Sequence, residues 1–407
     1  MAPDIPIGIG QRVRFYREGQ RKQQAAVAGL AGISVRYLRE IEQGRKTPSV
    51  PLLYRLADIL NVPVSALLGE PAVEPDSPTH PAIAAVREAL MGLSPPQVER
   101  SPDLAELRLR VDDVERTWLT SLNRYSETGH VLAQLIQDAD RATRAFNAVG
   151  ELEERRQAHR LAAETYFLAR TWFGSAARLD IQQALIAGDR AVRAAEYADD
   201  PLWIAVAKWE RGHALLSAGQ PEASEAVVLD AARDIEALTR SSEDGRYAAA
   251  YGALHLVAAI SAGRRGDPWT GRKWIRNEAQ PAARRSGESR LFLTSFGPSN
   301  VALHEISLET AAGRASEALR LGDAFDPSPL GSVGRRCTFH VELARCYDQR
   351  REDLAALHHL QLAQREAPEE LRYSLFARDL VRSLVRRARP LHRAEVRRFA
   401  QSIGVET

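Results

Sequence analysis

GISVRYLREIEQGRKTP, residues 32–48, contains the clearest local structural signals in this sequence. Gly32 stands where a tight turn needs a residue that tolerates a positive φ, and Ser34 follows it as the N-cap of a short helix. Gly44 ends that helix, and two basic residues come directly after it. This order predicts a turn, a helix over residues 34–42 and then a basic segment.

A small helical domain is predicted around this stretch, over residues 9–69. Short helical periods alternate there with glycines, and Ser49 with Pro51 marks the start of a fourth helix. The apolar positions predict one core shared by five short helices. The predicted core residues are Val13, Tyr16, Val27, Leu30, Ile33, Leu38, Ile41, Leu53, Leu56, Ile59 and Leu60.

The basic charge of the chain is concentrated in the same region. Residues 1–70 hold ten Lys and Arg against six Asp and Glu, a local net charge of +4, whereas all 407 residues together carry +2. Local positive charge is what a phosphate backbone attracts. Arginine makes up 51 of the 55 basic residues, which we attribute to codon bias in a GC-rich bacterium and not to binding.

Over nearly all of residues 9–69 the sequence resembles the helix-turn-helix domain of the XRE or phage-repressor family, a five-helix fold like that of λ repressor. The matching residues are Gln24, Val27, Ala28, Ala31, Gly32, Ile33, Ser34, Leu38, Ile41, Glu42, Gln43, Gly44 and Pro48. Gln23 departs from the family, which usually has Ser or Thr there to cap helix 2. The resemblance implies a transcriptional regulator, with a structural salt bridge between Arg17 and Glu42.

The recognition helix of such a domain presents its N-terminal residues to base edges in the major groove. We expect Arg36 to contact guanine and Val35 to meet a thymine methyl group. The family anchors a phosphate at the position of Gln24, and the residues after the recognition helix are expected to bind further phosphates. A solvated surface charge remains the alternative for Arg39 and Arg45. The predicted DNA-binding residues are Gln24, Ser34, Val35, Arg36, Arg39, Gln43, Arg45 and Lys46.

A proline-rich linker is predicted to follow the N-terminal domain, which we assign to residues 1–69. Residues 70–81 read EPAVEPDSPTHP, with four prolines and no apolar period. The linker is assigned to residues 70–102, with one helix allowed at 82–91.

Residues 103–407 are predicted to form antiparallel helix pairs, so the whole chain is expected to be all-α. Apolar positions at period 3.6 alternate with short Gly, Pro or Asp breaks. The predicted pairs are 104–122/125–148, 151–173/180–198, 201–217/221–239, 247–262/267–285, 295–312/315–324, 333–348/352–366 and 371–387/391–402. Their helix–turn–helix skeleton and small residues resemble tetratricopeptide (TPR) repeats, with a HEAT-like or general α-solenoid as the alternative.

Two helices of this predicted solenoid place aromatic, amide and imidazole side chains on one face. First helices line the concave side of TPR solenoids, and such a face suits a peptide or small ligand. The alternative is that these residues pack one repeat against the next. The predicted ligand-binding residues are Tyr247, Tyr251, His255, Asn300 and His304.

The sequence offers no constellation for catalysis, so we expect no enzyme, no cofactor and no metal site. Motifs for phosphate loops, paired CxxC ligands, HExxH and GxSxG are absent. Cys337 and Cys346 are nine residues apart, on opposite faces of one helix, which fits a reduced cytoplasm. The N-terminus lacks a signal-peptide pattern, and no apolar run is long enough for a bilayer, so no membrane partner is expected.

The prediction is a cytoplasmic, DNA-binding transcription regulator that forms a homodimer on a double-stranded and palindromic operator. Its domain order resembles the peptide-responsive quorum-sensing regulators called the RRNPP group, and its composition suits an actinobacterial member. The TPR-like domain is expected to dimerise and to sense a peptide or small-molecule effector. Two alternatives remain open: a scaffold that recruits a partner to DNA, and a dimeric repressor that binds no small ligand.

Overall fold

The computed structural model describes residues 9–19, 22–44, 46, 48–60, 62, 67, 80–93, 102–176, 181–289 and 291–405. Over these residues the chain is helical and contains no strand. Contacts divide it into two compact units, one of residues 3–77 and one that contains residues 78–407. The all-α fold class is therefore confirmed.

The N-terminal unit has four helices within its described part, and the predicted fifth helix falls largely outside it. They are α1 (Ile9–Gly19), α2 (Gln24–Ala31), α3 (Val35–Glu42) and α4 (Val50–Ile59). Helix α1 crosses α3 so closely that a Cβ on Gly10 would lie 1.6 Å from the carbonyl oxygen of Ile41. Only glycine fits at this crossing.

The core of the N-terminal unit agrees with the predicted one except at Leu30. Val13, Leu38 and Ile41 are fully buried, whereas Leu30 is 67% exposed. The buried residues of α2 are Val27, Ala28 and Ala31. Leu30 lies roughly 100° around the helix from the centre of that face, because successive residues are about 100° apart. Its apolar side chain therefore faces solvent.

The C-terminal unit is built from helices that follow one another in antiparallel pairs. They are α5 (Ile83–Leu90), α6 (Leu104–Thr120), α7 (Arg124–Val149), α8 (Leu152–Ala176), α9 (Ile181–Ala198), α10 (Pro201–Ser217), α11 (Pro221–Ser241), α12 (Gly245–Arg264), α13 (Pro268–Trp274), α14 (Gln280–Ser286), α15 (Pro298–Ala311), α16 (Ala315–Asp323), α17 (Val333–Gln349), α18 (Asp353–Glu366), α19 (Pro368–Tyr373), α20 (Leu375–Arg387) and α21 (Arg393–Ser402). A π-helical turn, Ile275–Ala279, joins α13 to α14.

Six of the seven predicted helix pairs are confirmed, with ends that differ by a few residues. In the seventh, the predicted helix 371–387 is interrupted at Ser374, which ends α19 and caps α20 by accepting the backbone N–H of Ala377.

At four of the breaks an aspartate caps the helix that follows and so fixes where it starts. Asp103 accepts hydrogen bonds from the backbone N–H groups of Ala105 and Glu106, and Asp200 accepts one from Leu202. Asp244 and Asp267 act in the same way on α12 and α13.

The predicted linker contains a folded helix, α5, that belongs to the C-terminal unit. Val86, Ala89 and Leu90 of α5 are buried in the large core of that unit. This apolar face is the physical reason why the C-terminal unit starts before residue 103. The bounds of the three predicted regions otherwise stay predictions.

The last helices of the C-terminal unit return to its first pair. The Glu369 carboxylate accepts the backbone N–H of Tyr125 at 2.7 Å and that of Ser126 at 3.2 Å. Its neighbour Glu370 forms an ion pair with Arg124. Two carboxylates from α19 thus bind the N-terminus of α7. This contact joins a late helix of the unit to its first pair.

Candidate DNA interface and central cavity

Helix α3 is positioned by the turn before it. Gly32 has φ 69 and ψ 31, the left-handed conformation that ends α2. The Ser34 hydroxyl then accepts the backbone N–H of Tyr37 at 3.1 Å and caps α3. The predicted turn and cap are both confirmed.

The inner face of α3 is fixed by a buried polar network as well as by apolar packing. Glu42 is 3% exposed and Arg17 is 7% exposed. Arg17 donates to the two carboxylate oxygens of Glu42 from Nε at 2.6 Å and from Nη2 at 3.0 Å. Gln24 donates to the same carboxylate from Nε2 at 2.7 Å. The salt bridge implied by the family resemblance is thereby confirmed.

The outer face of α3 is open to solvent and basic. Val35 is 37% exposed, and the Arg36 side chain is 88% exposed. Arg39 and Gln43, further along the same segment, are also exposed. Four of the predicted DNA-binding residues therefore lie on one accessible surface, opposite the buried residues Leu38, Ile41 and Glu42.

Glu40 sits between two of the predicted DNA contacts. Its carboxylate lies 3.2 Å from Arg36 Nε and 3.4 Å from Lys46 Nζ. The hydrogen bond from Arg36 and the nearby Lys46 lower the pKa of Glu40. Lys46 also lies over the Tyr37 ring, 5.3 Å from its centroid. Glu40 therefore holds the two basic side chains together in this structure.

Two further predictions concern the ends of α2 and α3. Gln23 has the extended backbone angles of an N-cap, but among the described residues its side chain makes no capping hydrogen bond. The family departure at Gln23 is thus a missing cap. The Gln24 side chain is held by Glu42, to which its amide nitrogen donates. Arg45 lies outside the described residues.

The predicted ligand-binding residues separate into two groups. Asn300 and His304 line a partly open cavity of about 130 Å³ in the C-terminal unit, together with His213 and Arg335. Both Asn300 and His304 are about nine-tenths buried or more, with exposures of 4% and 5%. Tyr247, Tyr251 and His255 are not among the lining residues.

Helix packing explains why the second group is elsewhere. Tyr251 donates from its hydroxyl to Glu278 at 2.8 Å, and the His255 ring lies 5.4 Å from the Trp274 ring. Burial, and the hydrogen bond to Glu278, raise the pKa of Tyr251. This face of α12 is covered by α13 and the π turn, while Ala253 and Leu256 line the cavity. The expected single ligand face is therefore split, and ligand binding stays a prediction.

Sequence reasoning missed the charged residues of the cavity. Its lining includes Arg124, Arg170, Arg264 and Arg335 with the carboxylates of Glu210 and Glu370. These residues come from six different helices, and each looks in the sequence like one more arginine or glutamate. Their spacing in the sequence therefore gives no sign that they share a cavity.

The described residues contain no cluster of His, Cys, Asp and Glu that could hold a metal ion. None of their helices is long and apolar enough to cross a membrane.

Comparison with known proteins identifies the class of the N-terminal unit. The helix-turn-helix family model matches residues 13–67. The HTH-type transcriptional regulator YazB of Bacillus subtilis is 38% identical over 58 residues, which are 14% of this chain and 84% of YazB. The immunity repressor of Bacillus phage phi105 is 37% identical over 62 residues, or 15% of this chain. This chain belongs to the helix-turn-helix family of DNA-binding transcriptional regulators, and the predicted XRE resemblance is confirmed.

The match to these relatives is confined to the N-terminal unit. The chain spans 43% of the length of the phage repressor. The structure of Bacillus thuringiensis PlcR in complex with the peptide PapR7 and DNA aligns with 86% of this chain and 98% of PlcR, with a TM-score of 0.32 and 12% identity. That alignment is too loose to assign a residue or a ligand to this chain. The relatives are regulators and not enzymes, as predicted.

Proposed function

We propose that this chain is a homodimeric regulator that reads its operator with the outer face of α3 and answers to a ligand held by the C-terminal unit. One observation carries the first part of the proposal. Val35 and Arg36 project from the capped N-terminus of a helix whose other face is locked into a core. That is the arrangement by which a recognition helix enters the major groove.

Each residue of this surface has a distinct role in the proposal. Arg36 donates two hydrogen bonds to guanine, and Val35 contacts a thymine methyl group. Lys46, with Gln43 and Gln24, binds phosphates and sets the register on the duplex. Arg36 and Lys46 must leave Glu40 to do so, which costs little because both ion pairs are exposed to solvent.

The DNA part is tested by fluorescence anisotropy on a duplex selected from a random pool by the full chain. Arg36→Ala should weaken binding by about 1–3 kcal/mol and relax preference at one base position, whereas Lys46→Ala should weaken all duplexes alike. Arg14→Ala removes the same charge from an exposed position on α1 and serves as the matched control. Equal affinity and preference in the Arg36→Ala and Arg14→Ala variants would refute the proposed role of α3.

The homodimer is proposed because one helix-turn-helix unit makes few base contacts. Two units on a palindromic operator read half-sites about 34–36 Å apart, or a multiple of that spacing. Light scattering of the full chain should give twice the mass of one chain at micromolar concentration. A monomer both with and without the selected duplex would contradict this part.

The ligand part is supported by the partly open cavity of about 130 Å³, whose lining mixes apolar side chains with polar ones that include Asn300 and His304. Ligand control requires different affinities for the arrangements that bind DNA and those that do not, with a coupling of about 1–3 kcal/mol. Operator affinity measured with and without fractionated culture extract tests it. If no fraction changes operator affinity, the chain is the dimeric repressor or scaffold without a small ligand.

A further inference from the structure

The central cavity of the C-terminal unit has more positive than negative charge in its wall. Four arginines and two glutamates line it: Arg124, Arg170, Arg264, Arg335, Glu210 and Glu370. Buried charges are normally paired, since an uncompensated one loses its hydration without return. Each guanidinium group in the wall is therefore expected to pair with a carboxylate.

Two of these arginines are balanced within the wall. Arg170 Nη1 lies 2.9 Å from Glu210 Oε2, and Arg124 forms its ion pair with Glu370. Arg124 is also held over the Trp118 ring, 4.3 Å from its centroid. These two pairs account for both carboxylates of the cavity.

Arg335 has no carboxylate within ion-pair distance among the described residues. Its Nη2 donates to the neutral Asn300 side-chain oxygen, and its Nε has no hydrogen-bond partner in the described part of the chain. The same nitrogen Nη2 lies 3.3 Å from His304 Nδ1. That ring nitrogen already lies 2.8 Å from the Asn300 carbonyl oxygen, to which it must donate. His304 therefore cannot accept from Arg335.

The surroundings of Arg335 compensate its positive charge only in part. Desolvation lowers its pKa to about 10 and nearby Arg124 lowers it too, whereas the carboxylates of Glu342 and Glu370, each already paired with another arginine, raise it. Burial also lowers the pKa of His304 to about 3, so the imidazole is neutral at pH 7 and adds no positive charge to the cavity. A guanidinium offers a planar fork of N–H donors that matches a carboxylate or a phosphate.

We propose that the cavity binds an oxyanion, the carboxylate or phosphate group of a small ligand, with Arg335 as its principal partner. The volume of about 130 Å³ fits such a group with a few further atoms, whereas drug-sized ligands occupy roughly 300–1,000 Å³. Asn300 and Arg124, which line the same cavity, complete the site. This inference names the ligand chemistry for the proposed sensing function and rests on that proposal only for its regulatory meaning.

Thermal unfolding of the full chain in different sodium salts tests the site. All six tryptophans lie between residues 118 and 274, so their fluorescence reports on the C-terminal unit. At equal ionic strength, acetate or phosphate should raise the melting temperature above that in chloride by about 2 °C or more. A rise in acetate alone identifies a carboxylate site, a rise in phosphate alone a phosphate site, and a rise in both a general oxyanion site.

Substitution of Arg335 distinguishes the site from a general salt effect. In Arg335→Gln and Arg335→Met the anion-specific rise should disappear, while the melting temperature in chloride stays equal or increases because a half-buried charge without a carboxylate partner is gone. Arg336→Gln is the matched control. Arg336 lies next to it on α17 but pairs with Glu366 at 2.6 Å, so that variant should keep the rise.

Three results would overturn the oxyanion site. They are no rise in wild type with either anion, a rise retained in Arg335→Gln, and melting several degrees lower in chloride for both Arg335 variants. The last would make Arg335 a packing residue. Operator affinity is measured separately, with and without the stabilising anion. An anion-specific rise without any change in affinity keeps the site and refutes ligand control of DNA binding.

Discussion

The buried carboxylate of Glu42 should be the most sensitive single group in the N-terminal unit. Glu42→Ala removes the bidentate carboxylate partner of the Arg17 guanidinium, which is 7% exposed. Neutral contacts such as that to the Lys22 carbonyl at 3.0 Å do not replace this negative charge. Breaking a buried ion pair from one side costs about 3–5 kcal/mol. A unit of this size is stable by roughly 4–11 kcal/mol, at about 0.05–0.15 kcal/mol per residue. The substitution should therefore remove a large fraction of that stability.

Amide hydrogen exchange of the full chain, read by mass spectrometry, measures this effect locally. Protection of α1–α4 should fall by roughly 10²–10⁴-fold, since each 1.4 kcal/mol is a factor of about ten. The melting temperature read from tryptophan fluorescence should equal that of wild type, because every tryptophan lies in the C-terminal unit. Operator binding should be lost together with the protection.

Replacing both Arg17 and Glu42 tests whether the stability lost in Glu42→Ala comes from the unpaired charge or from lost packing. The double variant Arg17→Met with Glu42→Leu should recover much of the protection that Glu42→Ala loses, because an apolar pair of similar volume carries no desolvation cost. If Glu42→Ala changed protection by less than about tenfold, or if the double variant were as unstable as the single one, the reasoning would be wrong.

Two smaller effects are predicted at helix starts. Gln23→Ser should stabilise the N-terminal unit by about 0.5–2 kcal/mol, since Gln23 has φ −70 and ψ 145 but no capping bond among the described residues. Hydrogen exchange of the α2 amides measures this effect, and unchanged or weaker protection would contradict the prediction. Glu369→Gln should destabilise the C-terminal unit by about 1–2 kcal/mol, since it weakens charged caps on Tyr125 and Ser126. Fluorescence melting tests this against Glu352→Gln, an exposed control, and equal melting of both variants would contradict it.

Local features of this chain could be predicted from its sequence because local rules determine them. The positive φ of Gly32 and the cap by Ser34 follow from backbone sterics and from the free N–H groups at a helix start. The bounds of the helix pairs follow from aspartate caps and from Gly and Pro breaks. Pro281 has a further local effect. The π turn ends two residues before this proline, which has no N–H to donate to a helical hydrogen bond.

Contacts between distant segments could not be predicted in this way. Periodicity correctly places Tyr251 and His255 on one face of α12, but it does not say that Trp274 covers that face. It likewise gives no reason for Glu369 to cap a helix that begins some 240 residues earlier. In a repeat protein, similar helix pairs offer many equivalent neighbours, so sequence spacing alone does not determine which helices meet.

The arginine content of the chain illustrates the same limit for charge. With 51 arginines in the sequence, an individual arginine carries little information. In the C-terminal unit many of them pair with a carboxylate, as Arg272 does with Glu309 at 2.5 Å and Arg170 with Glu210 at 2.9 Å. Such pairs stabilise or orient helices and need no ligand. A guanidinium is informative when no carboxylate pairs with it, and that is a property of the folded surroundings. Arg335 meets this condition inside a cavity, so the search for an effector should begin with anions.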